Sequence, residues 1–284
     1  MNKSEILMDA LAYIKKFKGK IFVIKLGGQV MLDKKVMDTV AQDLILLNYV
    51  GIKPVVLHGG GPEITAAMEK FGKKPKFIEG LRVTDEETMD IVKMVLIGKI
   101  NSEIVGCINK HSGVNAVGLS GKSASLFFAE KKTGKVDLGM VGDVKKVNTE
   151  LVELLIDKNY IPVISSVALD KEGNALNINA DTAAGQLASA LKASKLILLT
   201  DVPGVLDENN NLIKRITVPE IDEMINSKKV EGGMIPKLRA CKIALENGVE
   251  RTHIIKAVEH GILEEVFTSY GTGTMLTLEK IVEG

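Results

Sequence analysis

At 284 residues the chain is long enough for about two domains of ~150 residues each, or for one continuous α/β unit with a sizeable core. Its composition, 45% hydrophobic and 26% charged with a net charge of +1, argues against a nucleic-acid surface, an acidic tail or a disordered chain and leaves small molecules as the expected partners. Only Cys107 and Cys241 occur, both within helical patterns, which fits reduced thiols packed as small core residues and a cytoplasmic setting. No uninterrupted apolar run approaches ~18 residues, and Asp9, Lys15 and Lys16 break the N-terminus, so neither a membrane span nor a signal peptide is expected.

In chain order, residues 4–17 place Ile6, Leu7, Ala10, Leu11, Ile14 and Phe17 on one side at helical spacing, an amphipathic helix ahead of the first strand. Ile21 to Leu26 is that strand, and it runs into Gly27-Gly28. Val36, Val40, Leu44 and Leu47 mark the helix that returns to a second apolar strand ending at His58, which makes a βαβ unit. The stretch Val55 to Glu63 then joins a strand, the Gly59-Gly60-Gly61 turn and a helix start at Pro62. Backbone N–H groups without side chains, set at a helix N-terminus, suit a carboxylate or phosphate. A tight turn without a ligand is the plain alternative.

Ile64 to Phe71 reads as a short helix, Pro75 to Thr84 as irregular, and a long helix runs on to about His111. Asn115–Leu119, Ser125–Ala129 and Asp143–Val147 read as short strands in hairpins laid over the main sheet, with a first turn at Ser112-Gly113. Leu151–Ile156 is helical, Ile161–Ser165 a strand, Asp170–Asn174 a polar turn, and an alanine-rich helix ends near Leu191. Strand Leu196–Thr200, a polar hairpin around Asn209–Asn211, a helix from Pro219, helix Pro236–Glu246, strand Thr252–Ile255, helix Gly261–Phe267 and strand Thr274–Leu278 complete the pattern. With neither a tandem repeat nor a low-complexity linker, any boundary is a waist near residue 193.

Two nucleotide-site motifs fail on inspection. Ala116 to Ser123 resembles a P-loop but has Ala116 where the first glycine belongs and strand-like residues after it, and Gly271-Thr272-Gly273 lacks the third glycine of a dinucleotide fingerprint. His58, His111, His253 and His260 are not spaced as metal ligands and read as structural or surface residues. The polar residues that converge lie just after apolar strands: Lys25, Gly27, Gly28, the Gly59 triplet, Asn177, Asn179, Asp181 and Asp201, with Lys237 behind Gly232-Gly233. Carboxyl ends of parallel strands are where open α/β sheets bind ligands. Singly, Lys25 and Lys237 read as surface lysines and Asp181 as a helix cap; together, two lysines, glycine turns and a helix-start aspartate match what phosphoryl transfer needs, positive charge and positioning.

Lys25-Leu26-Gly27-Gly28, His58-Gly59-Gly60-Gly61-Pro62, Leu81-Arg82-Val83-Thr84-Asp85, Asn177-Ile178-Asn179-Ala180-Asp181, Leu199 to Val205 and Gly232 to Lys237 resemble, in order and over nearly the whole chain, the amino acid kinase family. The glycine turns are shared with carbamate, uridylate, aspartate and glutamate kinases; the Arg82 segment with Asn177 to Asp181 is similar to the branch acting on N-acetyl-L-glutamate. The resemblance implies an α/β fold, an open αβα sandwich with a mainly parallel central sheet of about eight strands and two lobes. Residues 1–20 would form the N-terminal helix, 21–192 the acyl-amino-acid-binding and dimerisation lobe, and 193–284 the nucleotide lobe. It implies transfer of the γ-phosphoryl of ATP to the substrate's side-chain carboxylate, a step of arginine biosynthesis. That carboxylate is already ionised at neutral pH, so no general base is required, and Mg2+ can ride on the nucleotide phosphates without a protein metal site.

By the same resemblance, Lys25 and Lys237 would neutralise the transferring group, with Asp181 between them. Gly27, Gly28 and Gly59 would donate N–H bonds to phosphate, and Gly60, Gly61, Arg82, Asn177 and Asn179 would hold the substrate. Asp201, Val202, Pro203, Gly204, Val205, Leu206 and Met234 would line the nucleotide pocket. Arginine-inhibited members of the family carry an N-terminal helix that joins dimers, which implies a hexamer inhibited by L-arginine between Tyr13, Lys195, His260, Glu265 and Gly273. Two alternatives stay open: a non-catalytic amino-acid sensor on the same fold, and a sibling kinase acting on a carrier-linked aminoadipate.

Overall fold

The computed structural model describes residues 3–111, 113–268 and 271–279, the side chains of residues 3–7 and 29 standing outside that description. The side chains of Ile6 and Leu7 in the expected apolar stripe, and Ser112 of the expected turn, therefore lie outside that description. The first half contains α1 (Lys3–Phe17), β1 (Ile21–Leu26), α2 (Gly28–Leu32), α3 (Lys34–Tyr49), β2 (Lys53–His58), α4 (Gly61–Lys70), β3 (Phe77–Ile78), β4 (Leu81–Arg82), α5 (Glu86–Lys93), a π-helical stretch Met94–Ile100 and α6 (Asn101–Asn109). It continues with β5 (Asn115–Ser120), β6 (Phe127–Lys131), β7 (Val141–Val147), α7 (Glu150–Asp157), β8 (Tyr160–Ser165), β9 (Val167–Leu169), β10 (Ala175–Ile178) and α8 (Ala180–Ala190). After these come β11 (Lys195–Thr200), β12 (Arg215–Thr217), α9 (Val218–Asn226), α10 (Met234–Glu246), β13 (Arg251–Lys256), α11 (Gly261–Phe267) and β14 (Thr274–Thr277).

Eight strands form one sheet in the order β12-β14-β13-β11-β1-β2-β8-β5. It is parallel throughout except where β14 opposes β13, so the expected mainly parallel sheet of about eight strands holds. The sheet is unbroken across residue 193, because Phe22 of β1 pairs with Lys195 of β11. Alternation along the buried strands divides the core. Phe22, Ile24, Leu26, Val56, Ile197 and Ile255 face α3, α6 and α11, whereas Val23, Val55, Leu57, Leu196, Leu198 and Ile254 face α7, α8 and α10. Two apolar faces, each covered by helices, make the αβα sandwich.

Two expectations need correction. β5 is not part of an overlaid hairpin but the edge strand of the main sheet, parallel to β8; its half-exposed, glycine-containing sequence carries no mark of that place. The overlay consists instead of β10, β7, β6 and β9, closed by the pairing of Phe128 with Leu169. The long helix is interrupted by the π-helical Met94–Ile100, whose Leu96 and Ile100 press on the Gly60 turn, a placement typical of functional sites.

Candidate active site

Lys25 follows Val23 by two residues and therefore points to the same face, toward α8. There its Nζ lies 2.8 Å from Asp181 Oδ1, while Lys237, from the first turns of α10, reaches Asp181 Oδ2 at 3.3 Å and the Gly233 carbonyl at 3.2 Å. Lys25 and Asp181 are buried, and Lys237 is partly buried. Asn179, not Asp181, caps α8, accepting the Thr182 N–H at 2.9 Å. Burial alone would push Asp181 up, but the Lys25 and Lys237 ammonium groups outweigh it and hold the carboxyl below its ordinary range. The cluster thus carries one net positive charge beside the glycine turns.

Those turns are tight at their backs. A Cβ on Gly28 would lie 2.6 Å from Pro62 Cδ, and one on Gly60 would lie 2.2 Å from Ile100 Cδ1, so glycine is imposed by packing within the protein; at Gly61 a Cβ would meet open space. His58, missed as a site element, orients the second turn. Its Nε2 must accept from the Asn101 amide at 3.1 Å, which leaves Nδ1–H to donate to the Gly59 carbonyl at 3.0 Å. Burial pushes this ring down to about 4, so it stays neutral.

Arg82 comes to the same cleft from β4. Nη2 donates to the Gly61 carbonyl and to Thr65 Oγ1, both at 2.8 Å, Nη1 lies 3.2 Å from Met68 Sδ, and the guanidinium sits 4.6 Å from the Phe77 ring centre. It is 6% exposed, burial lowers its pKa, and among the described residues it has no carboxylate partner. A buried cation without a counter-charge calls for an anion. Asn177, in β10, donates to Thr84 Oγ1 at 3.2 Å. Lys25, Gly60, Arg82, Asn177, Asn179 and Asp181 line one cleft of roughly 210 Å³.

The nucleotide-lining set divides. Val205 is wholly buried in the core with its N–H donating to Thr274 Oγ1 at 2.9 Å, and Gly204 packs on Thr274. Asp201 and Pro203 are exposed, Val202 is half-buried, and half-buried Met234 packs against the core. Leu206 does line a hollow, of about 360 Å³, together with Ile213, Ile216, Met224 and Lys229, residues that sequence reasoning missed.

A further hollow of about 350 Å³ brings together Tyr13, Lys195, Glu265 and Gly273. His260 is not there: it precedes α11 at φ 55° with Nδ1 2.7 Å from buried Asp43 Oδ1. The histidine in the hollow is His253, whose Nε2 accepts from Lys195 Nζ at 3.0 Å and whose Nδ1 donates to Glu265 Oε1 at 2.6 Å. Burial brings His253 to about 4 and, reinforced by Arg251, Lys195 to about 8. Burial also works against ionised Glu265, but His253 and the Thr272 and Gly273 amides outweigh it and bring that carboxyl to about 2.

Comparison with known proteins places this geometry. The model of the amino acid kinase family matches residues 20–256. A protein of Methanocaldococcus jannaschii named acetylglutamate kinase is 55% identical over 98% of this chain and 97% of its own length. One of the same name from Methanothermobacter thermautotrophicus is 52% identical over 98% of this chain and 100% of its own. Among solved structures, N-acetylglutamate synthase from Neisseria gonorrhoeae, complexed with coenzyme A and N-acetyl-glutamate, superposes with a TM-score of 0.88 at 24% identity. That likeness covers 99% of this chain and 65% of the synthase chain, and shows the fold alone. Giardia carbamate kinase follows with a TM-score of 0.69 at 17% identity, over 92% of this chain and 99% of that one.

Proposed function

Since the chain belongs to the amino acid kinase family, we propose that it transfers the γ-phosphoryl of ATP to the side-chain carboxylate of N-acetyl-L-glutamate, giving an acyl phosphate on the route to arginine. The observation that carries this reading is the Lys25–Asp181–Lys237 cluster, whose Lys25 and Asp181 line one cleft with Gly28, Gly59 and an Arg82 without a carboxylate partner among the described residues. The two ammonium groups stand where charge develops on the transferring group, and Asp181 fixes them before the substrates arrive. Gly27, Gly28 and Gly59 offer N–H groups to phosphate. Arg82, Asn177, Asn179 and the Gly60-Gly61 turn hold the acyl amino acid, Arg82 by a forked bond to its α-carboxylate. No side chain is asked to remove a proton, because the acceptor carboxylate is already ionised.

The lobe up to residue 192 takes the acyl amino acid and the lobe from 193 takes ATP, its base in the slot of Leu206, Ile213 and Met224. Among the described residues no three His, Cys, Asp or Glu side chains converge on a metal-sized site, and Asp181 is engaged with two lysines. Magnesium fits as a passenger of the nucleotide phosphates, where it would offset their charge.

Regulation forms the second part of the reading. α1 packs its C-terminal end on the body through Phe17 and Phe22, rings 5.2 Å apart, while Met8 and Leu11 are exposed. The exposed apolar side chains of Met8 and Leu11 support dimers joined by this helix into a hexamer, with L-arginine inhibiting from the Tyr13, Lys195, Glu265 and Gly273 hollow. A sensor without catalysis is disfavoured by the complete lysine–aspartate cluster. Coupled ADP release with N-acetyl-L-glutamate tests the reading, and competition by a carrier-linked aminoadipate separates the sibling kinase.

A further inference from the structure

Arg82 belongs to a hairpin that cannot hold itself in place. Strands β3 and β4 have two residues each and, among the described residues, pair only with one another, too little ladder for independent stability. Its tip turns through Glu79 and Gly80 at φ 50° and 77°. The restraints are at the base. Val83 N–H donates to the Lys76 carbonyl at 2.9 Å, and Thr84 is tied to the Leu138–Met140 segment by its own N–H at 2.9 Å and by its carbonyl at 2.5 Å.

Below them, Lys73, just past the C-terminus of α4, reaches across to the start of α5. Its Nζ donates to both Asp85 oxygens at 2.7 and 2.8 Å and to Glu87 Oε2 at 2.8 Å. Asp85 also caps α5, accepting the Thr88 N–H at 2.8 Å, and lies twelve residues from Lys73. One ammonium thus joins the two helices from which the hairpin is hung. One of those helices, α4, contributes Thr65, Met68 and the Gly61 carbonyl to the guanidinium of Arg82. The guanidinium is therefore gripped by α4 while its backbone depends on the span from α4 to α5.

We propose that Lys73 is a positioning residue for the acyl amino acid: by clasping the base of the β3–β4 hairpin it holds Arg82 in register with the cleft. Lys73 does not line that cleft, so it acts on the ligand only through the hairpin. Isolated exposed ion pairs contribute little, but here two carboxylates share one ammonium whose side chain is only 20% exposed. The clasp also closes a short segment, where a restraint acts directly on conformational freedom.

The inference rests on the reading that Arg82 binds the substrate carboxylate, and the test keeps the two apart. In the full-length enzyme, Lys73→Met should raise KM for N-acetyl-L-glutamate about fivefold and leave kcat and KM for ATP within about twofold. Lys73→Arg, which keeps the charge and its donors, should restore the wild-type KM. Hydrogen exchange of the 76–83 amides should accelerate in Lys73→Met by a similar factor while the main-sheet strands stay protected. An unchanged KM with unchanged exchange overturns the clasp, as does an equal loss in both KM values and kcat. Faster exchange in a protein whose wild type ignores N-acetyl-L-glutamate upholds the clasp and counts against the substrate instead.

Discussion

Replacing Lys25 by methionine removes one of two ammonium groups from a site that holds them ready before reaction. In the native cluster Asp181 lies 2.8 Å from Lys25 and 3.3 Å from Lys237, with little solvent around any of them. The methionine keeps most of the buried stem and deletes the charge, so the cluster falls from one net positive charge to none. Loss of one preorganised group facing developing charge costs about 2.7–4 kcal/mol, a factor of roughly 10²–10³ in kcat. Stability should suffer less than the 3–5 kcal/mol typical of a stranded buried charge, because Asp181 keeps Lys237 as a partner. Steady-state turnover at saturating ATP and N-acetyl-L-glutamate, with a melting curve to verify folding, measures both. A folded Lys25→Met enzyme within tenfold of wild-type kcat would refute the reasoning.

Arg82→Lys keeps the charge but loses the fork, and should raise KM for the acyl amino acid tenfold or more, on the order of 1.4 kcal/mol, with KM for ATP nearly unchanged. Gly60→Ala, whose Cβ would fall 2.2 Å from Ile100, should cost about 1–3 kcal/mol in denaturant unfolding, whereas Gly61→Ala should be nearly neutral. Glu63 is 8% exposed with neither carboxyl oxygen partnered, and burial raises its pKa above 4.5. A raised carboxyl costs nothing below the unfolded value, and its penalty grows as pH climbs toward the folded value. Glu63→Gln should therefore stabilise by about 1 kcal/mol at pH 8 and by nothing at pH 4, as thermal melts at the two pH values would reveal. Deleting residues 1–18 should give active dimers with much weaker arginine inhibition, and a truncated protein that stays hexameric by light scattering would defeat the proposed role of α1.

The central strands are legible in the sequence because β1, β2 and β11 are apolar runs that end at glycine, at His58 and at Asp201. The cluster proposed for catalysis is legible for the same reason: polar residues at the carboxyl ends of apolar parallel strands stand at the edge where such sheets bind ligands. What fails depends on neighbours rather than on local pattern. β5 is half-exposed and β12 is short, and only their partners decide which sheet they join. The π-helical stretch has the same apolar residues an α-helix would use. His253 reads from the sequence as a structural or surface residue, although alternation along β13 puts it on the same face as Ile255, toward α1 and α11, where the hollow opens.

The central claim is that this cleft makes an acyl phosphate, and trapping that product with hydroxylamine tests it most directly. Incubation with ATP, Mg2+ and N-acetyl-L-glutamate should yield one acyl hydroxamate for each ADP released, and none when either substrate is omitted. ADP release without hydroxamate, or no turnover at all by the folded protein, would contradict the account.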